Sequence, residues 1–357
     1  MSHNNLWRYL IIISAVGLLA AAFLYAAGLY GGKGVTAQTF VNLQEGKSAM
    51  LGFRRAHAKG ICIRGDFESN GSLAPYSLAH VFQPGATGFI GRFSIAGNNP
   101  IAPDLKAPVR SLALSFASRS GSANSGSSNK DQQWRLAMNT PPVMAVSTPE
   151  DFYEQLVSLS PNPKTGQRDG AKIKAFFAAH PESKDFNNWR ARYTPTNSFA
   201  AEQYHSINAF YLIDDKGQHH AVRWQAVPQI NPKDYLEIGS THADALQLDL
   251  VNKLQIQAVK FDLVFTFAST GDNENDPAVA WPQDRKTITA GTINIVSSHS
   301  QTDGACDGIR FDPLVLPKGI EPTQDPILNA RSAAYAESYR RRARESFLDQ
   351  FNVGTEK

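Results

Sequence analysis

In separate stretches of this chain, apolar and polar residues alternate with a period of two. They are Ile61, Ile63, Gly65 and Phe67; Phe89 to Ile95; Leu112 to Phe116; Leu212 with the run Ala221 to Val227; Phe261, Leu263, Phe265 and Phe267; and Ile288 to Val296. A strand sends successive side chains to opposite faces, so each stretch reads as a strand with one face buried. Asp214-Asp215-Lys216-Gly217 lies between two of them and has the residues of a hairpin turn, which makes those strands antiparallel. Helical spacing runs over Thr36 to about Arg54, Pro149 to Leu159, Asp169 to Ala179, Ala243 to Gln257 and Ala330 to Phe347. Helices thus fall between groups of strands and do not follow every strand. That order predicts an α+β fold, an antiparallel sheet of about eight strands able to close into a β-barrel, with helical insertions. The polar stretch from Ser118 to Gln133 cannot bury a core and is expected as an exposed loop.

Composition bounds the function. With 42% hydrophobic residues in 357, the chain can bury a substantial core. Lys and Arg number 35 against 32 Asp and Glu, and the resulting +3 is too small an electrostatic footprint for nucleic acid. Two cysteines, Cys62 and Cys306, make neither a disulfide framework nor a zinc ribbon, and whether they meet is open at this stage. Leu10 to Tyr30 carries no charge, is long enough to cross a bilayer and exceeds the usual apolar core of a cleaved signal. The expectation is a single transmembrane helix in a bacterial inner membrane. Residues 1–34 would be anchor and tether, and residues 35–357 a folded domain exported to the periplasm. Arg8 before the run and Lys33 after it favour an inside N-terminus only slightly.

Common site signatures are missing: there is no G-x-S-x-G elbow, no phosphate-binding P-loop and no G-x-G-x-x-G. His219 and His220 are adjacent in an expected strand, where they point to opposite faces and cannot share a metal. The basic run Arg340, Arg341, Arg342 and Arg344 has the look of a solvated helix face. Periodicity makes part of it specific. Arg331, Tyr335 and Arg342 stand at i, i+4 and i+11, within about 40° of one helix stripe. A cation one turn away favours the phenolate, and an anionic tyrosine is among the few side chains that ligate haem iron through oxygen.

Several motifs now fall into one pattern. Phe311 to Tyr335, FDPLVLPKGIEPTQDPILNARSAAY, resembles the segment that delivers the proximal tyrosine in haem catalases. RRAHAKG, Arg54 to Gly60, resembles the distal-histidine motif of that family. GRFSIAG (Gly91 to Gly97), WRLAMNTPPVM (Trp134 to Met144), DPAVAWP (Asp276 to Pro282) and YAESYRRR from Tyr335 follow in the family's order. The resemblance spans about Ser48 to Ser346, and the short chain with its apolar N-terminus is most similar to the catalase-related peroxidases.

The resemblance implies haem b (heme b, iron) as cofactor. It implies His57 as distal acid and base, Asn139 as distal amide and Ser94 as the hydroxyl that orients the histidine ring. Tyr335 would be the axial iron ligand and Arg331 its partner. Arg54, Arg92 and Arg342 would grip the haem propionates, and Phe152 would pack on the haem edge. Departures from the pattern are Met144 where a phenylalanine stacks on the porphyrin, Ala56 for a valine in the substrate channel, Pro108 for a channel carboxylate and Gln225 for a histidine that supports the proximal arginine. Ala56 widens the approach, and Pro108 removes a steering charge.

The expected activity is therefore that of a peroxidase that reduces hydrogen peroxide or an organic hydroperoxide with a small organic electron donor. Without the long arms that thread catalase tetramers, a monomer or dimer is expected. Rival readings are a hydroperoxide isomerase on the same haem site and a non-enzymatic exported barrel that binds haem or lipid.

Overall fold

The computed structural model describes residues 3–26, 34–46, 50–116, 132–162, 164–230 and 242–352. The tether and nearly all of the polar stretch after Ser118 lie outside the described residues. Among the described residues, ten strands form one antiparallel sheet: β1 Gly60–Ser69, β2 Gly85–Ile95, β3 Arg110–Phe116, β4 Trp134–Asn139, β5 Tyr204–His205, β6 Phe210–Ile213, β7 His219–Pro228, β8 Val259–Phe267, β9 Thr287–Ser300 and β10 Ile320–Pro322. The order β7-β5-β4-β3-β2-β1-β9-β8 closes through pairing of β7 with β8, which gives an eight-stranded barrel. β6 and β10 extend the sheet beside β7. The β6–β7 hairpin turns where the sequence predicts it, with Asp214 Oδ1 accepting from the Lys216 and Gln218 amides.

The period-two pattern decides which residues fill the barrel and which face outward. Phe93, Leu112, Leu114, Phe116, Trp134, Leu136 and Met138 on β2–β4 join Phe261, Leu263 and Phe265 of β8 in the buried core. Trp134 and Phe116 stack with centroids 5.1 Å apart, and Phe82 packs edge-on against Trp134 and Phe265. Side chains thus plug the interior, as in other small barrels. On the outer face of the same strands stand Arg92, Ser94, Ser111, Ala113, Ala137 and Asn139. Strand register sets Ser94 opposite Ser111 and Ser111 opposite Asn139 in one rung, with Arg92, Ala113 and Ala137 in the next. These residues line a cavity outside the barrel.

Helices close that cavity: α2 Ala37–Glu45, α3 Pro149–Leu159 and α7 Pro326–Asn352 all contribute to its wall. α3 occupies the span its sequence predicts, capped by Thr148 with Pro149 in the first turn. α2 is shorter than the predicted Thr36–Arg54. Thr36 caps its start, but Gly46 takes φ +65° and bonds back to the Asn42 carbonyl, which ends the helix. α7 begins before the predicted Ala330, where Asp325 Oδ1 accepts from the Ile327 and Leu328 amides. α4 Gly170–Ala179, α5 Lys184–Arg192 and α6 Ala245–Ile256 cover other faces, and α5 has no apolar period to predict it. α1, His3–Ala26, contains Trp7–Leu24, an exposed stretch long and apolar enough to cross a membrane.

Candidate functional site

His57 stands just before β1 with φ +55°, a left-handed conformation that is uncommon for a residue with a Cβ. Its Nδ1 lies 3.1 Å from Ser111 Oγ, and that hydroxyl also bonds Asn139 Oδ1. Ser94, expected to orient the ring, lines the same cavity, but the hydroxyl on the ring is that of Ser111. Ser111 sits on the middle strand between Ser94 and Asn139, so of the two serines it is the one beside the amide, which His205 flanks from β5. Burial, then the charges of Arg92, Arg331 and Arg54, pull the His57 pKa down to about 4, so the ring is neutral at pH 7.

On α7 a second chain of contacts begins at the helix cap. Asn208 Nδ2 donates to Asp325 Oδ2 at 2.6 Å, and Arg331 Nη1 donates to Asn208 Oδ1 at 2.6 Å. Arg331 Nη2 reaches the Tyr335 hydroxyl at 3.3 Å, with the guanidinium 5.7 Å from the ring centroid. The amide therefore ties the helix cap to the arginine beside the tyrosine. Ile207, next to Asn208, holds φ +65°, which is a real outlier for a β-branched residue and marks how tightly this turn is held. Gln225, the expected replacement for an arginine support, instead accepts from Gln203 Nε2 at 2.7 Å. Asn208 supports the arginine.

Three guanidinium groups meet at another edge. Arg54 Nη2 donates to the carbonyls of Cys306, Asp307 and Ile309 at 2.9, 3.1 and 3.0 Å. Arg342 Nη1 lies 3.1 Å from Asp307 Oδ1, and Arg54 Nη1 is 3.4 Å from the same oxygen. Arg92, 3% exposed, donates to the Ala58 carbonyl, while its buried Nε has no protein partner. A Cβ at Gly60 would fall 2.7 Å from Arg92 Cζ, so only glycine lets this side chain pass. Burial and then repulsion from Arg342, opposed by the attraction of Asp307, lower the Arg54 pKa to about 10; burial and its arginine neighbours lower that of Arg92 as well. One carboxylate facing three arginines leaves an excess of positive charge suited to anionic groups.

The loop that receives Arg54 is pinned by a disulfide between Cys62 and Cys306, the pairing left open by the sequence. Phe152 lines the cavity and packs against Phe40 of α2, with centroids 5.4 Å apart. Ala56 and Met144 also line it. The remaining arginines of the basic run diverge. Arg340 and Arg341 pair with Glu337, whose pKa their hydrogen bonds hold at about 2. Arg341 also reaches Glu45, and Arg55 bridges Glu45 and Glu345. His219 and His220 part as expected, to Glu321 and Asp214.

The space enclosed is about 1500 Å³ including its open mouth. A phenol oxygen held by a guanidinium, a neutral imidazole with an amide beside it and an arginine cluster with an orphaned nitrogen all fit a flat, iron-bearing, dicarboxylate cofactor. The barrel carries beside it a cavity that fits such a cofactor, and a catalase family model matches residues 42–354. The chain belongs to the catalase family.

It is 35% identical over 344 residues to a catalase-related peroxidase of Synechococcus elongatus, which covers 96% of this chain and 98% of that one. A catalase-related peroxidase of Mycolicibacterium paratuberculosis is 29% identical over 300 residues, covering 82% and 90%. Among solved structures, catalase A from Saccharomyces cerevisiae superposes with a TM-score of 0.69 at 19% identity, over 81% of this chain and 61% of that one.

Proposed function

We propose that the chain is a haem peroxidase that reduces hydrogen peroxide or an organic hydroperoxide at the expense of a small organic electron donor. The observation that carries this reading is the placement of two walls on one cavity: His57, Ser111 and Asn139 on the barrel side, Arg331 and Tyr335 on α7. Haem b would be held by Tyr335 at the iron, by Arg54, Arg92 and Arg342 at its carboxylates and by Phe152 at its edge. When bound, it supplies the redox chemistry at iron.

The protein's own residues handle protons and orientation. A neutral His57 takes the proton of an incoming peroxide and returns it to the departing oxygen, which a ring already charged at working pH cannot begin. Asn139 hydrogen-bonds the peroxide without bringing a charge into the pocket. Arg331, fixed by Asn208, keeps a positive group on the Tyr335 oxygen. Ala56 leaves room for a donor larger than a second peroxide.

The domain reading is residues 1–34 as membrane anchor and tether, with residues 35–357 as the periplasmic haem domain; Val35 and Thr36 on the cavity wall support that boundary.

The absorption spectrum of the purified full chain, followed through peroxide-driven donor oxidation, tests the proposal. Tyrosinate-type haem absorption and donor turnover are expected. Tyr335→Phe should lose haem or change its ligation, and His57→Ala should slow the reaction with peroxide by about 10² to 10⁴ while haem content holds. Absence of haem, or histidine ligation, would overturn the reading.

A further inference from the structure

We infer that Ser111 is a positioning residue whose single hydroxyl proton sets both His57 and Asn139 in the one arrangement that receives a peroxide. This rests on the peroxidase reading and goes beyond it, since neither the motif pattern nor the rung partner Ser94 assigns the task to this residue.

The argument is one of hydrogen-bond supply. A hydroxyl has one proton to give and two lone pairs to accept with. Asn139 Oδ1 can only accept, so the Ser111 proton goes there. Toward His57 Nδ1, 3.1 Å away, the same oxygen can then only accept, and Nδ1 must carry a proton. The positive groups around the ring, Arg92, Arg331 and Arg54, disfavour a second proton. Nε2 is left as the bare nitrogen. With Oδ1 of Asn139 turned to Ser111, its remaining polar group is the Nδ2 donor.

The wall thus offers one acceptor and one donor, complementary to the O–H and the second oxygen of a hydroperoxide. Reverse the Ser111 proton and both would invert: Nδ1 would accept, Nε2 would carry the proton, and the ring could not begin as a base. Position supports the assignment. Ser111 lies opposite Asn139 in the β3–β4 ladder and is 8% exposed, so water competes little for its hydroxyl.

The test compares wild type, Ser111→Ala and Ser111→Thr. Two rates are measured per bound haem: reaction with hydrogen peroxide and association of cyanide. The cyanide rate, read from the haem absorption, needs a distal base to take the proton of HCN but no turnover. Ser111→Ala should slow both by at least about tenfold, and Ser111→Thr, which keeps the hydroxyl, should restore both to within about threefold of wild type. A merely structural role would lower haem content or melting temperature and leave the per-haem cyanide rate unchanged; that result overturns the inference. Neutron diffraction on wild-type crystals locates the protons directly, and a proton on His57 Nε2 with Nδ1 bare also overturns it. If wild type binds no haem, the peroxidase reading fails instead, and the neutron map of the same protein still decides the proton arrangement.

Discussion

His57 shows how much a single side chain depends on its surroundings. Its pKa near 4 is set first by burial and then by three arginines, of which only Arg54 is close to it in sequence. With the ring uncharged, its part in the peroxide reaction should stay level from about pH 8 to about pH 5 and fall only as pH approaches 4. A pH profile of the peroxide rate checks this, and a midpoint near the ordinary histidine value of about 6.5 would contradict it. Stability has the same sign. His205, with Nδ1 2.9 Å from the Thr140 carbonyl, is also pulled down to about 4 by burial. Between pH 6.5 and 4 the unfolded chain takes up protons that the native state refuses, so stability is full above 6.5 and is lost as pH falls toward 4. Melting curves across that range should show the loss, and His205→Gln should reduce its slope.

Asn208 makes a second case at this scale, because its amide is spent on two charged groups at once. Asn208→Ala should cost about 1 to 3 kcal/mol in chemical denaturation and weaken haem retention, since Arg331 and the buried Asp325 each lose one of their partners. Nothing in the sequence near Asn208 announces this role; it lies 123 residues from Arg331. The same limit explains Ser94 and Ser111. Spacing around a motif shows which serine lies near the arginine, whereas the rung that brings Ser111 to His57 exists only once β3 is in register.

At the scale of elements, legibility follows the local signals. α3 was readable because a threonine cap, a first-turn proline and an apolar stripe agree. The apolar spacing of α2 continues past Gly46, but there the backbone turns left-handed and the helix stops. α5, KDFNNWRAR, has no stripe to see. Alternation marks most barrel strands; β4, WRLAMN, alternates too but lies outside the stretches named above, while β5 in the barrel and β10 beside it, two and three residues long, are too short to carry a period.

α2 and α7 are joined through Glu45, which takes both Arg341 and the almost fully buried Arg55, while Phe40 of α2 forms part of the cavity wall. Glu45→Ala should therefore cost about 1 to 3 kcal/mol locally and speed amide exchange over residues 37–45 without a matching change in the barrel. Hydrogen exchange resolves the two regions, and uniform acceleration in both would argue against a separate clasp.

Across the whole molecule, the Cys62–Cys306 disulfide joins residues 244 apart, in the strand after His57 and the loop that receives Arg54. Closing so long a loop restricts the unfolded chain by an amount worth about 5 kcal/mol in the chain-entropy account. Reduction, or the double change Cys62→Ala with Cys306→Ala, should lower the melting temperature and loosen haem, both measurable by following haem absorbance during heating.

The same bond makes the chain topologically a ring with two tails. Ser94, Ser111, Asn139 and Phe152 belong to the ring; Arg54 and His57 sit on the N-terminal tail, and Arg331, Tyr335 and Arg342 on the C-terminal one. Both tails leave the ring at a single covalent knot. A protease cut engineered anywhere between residues 63 and 305 would open the ring without separating the tails. Such a nicked protein would run as two pieces only after reduction, with His57 and Tyr335 still in one molecule until then.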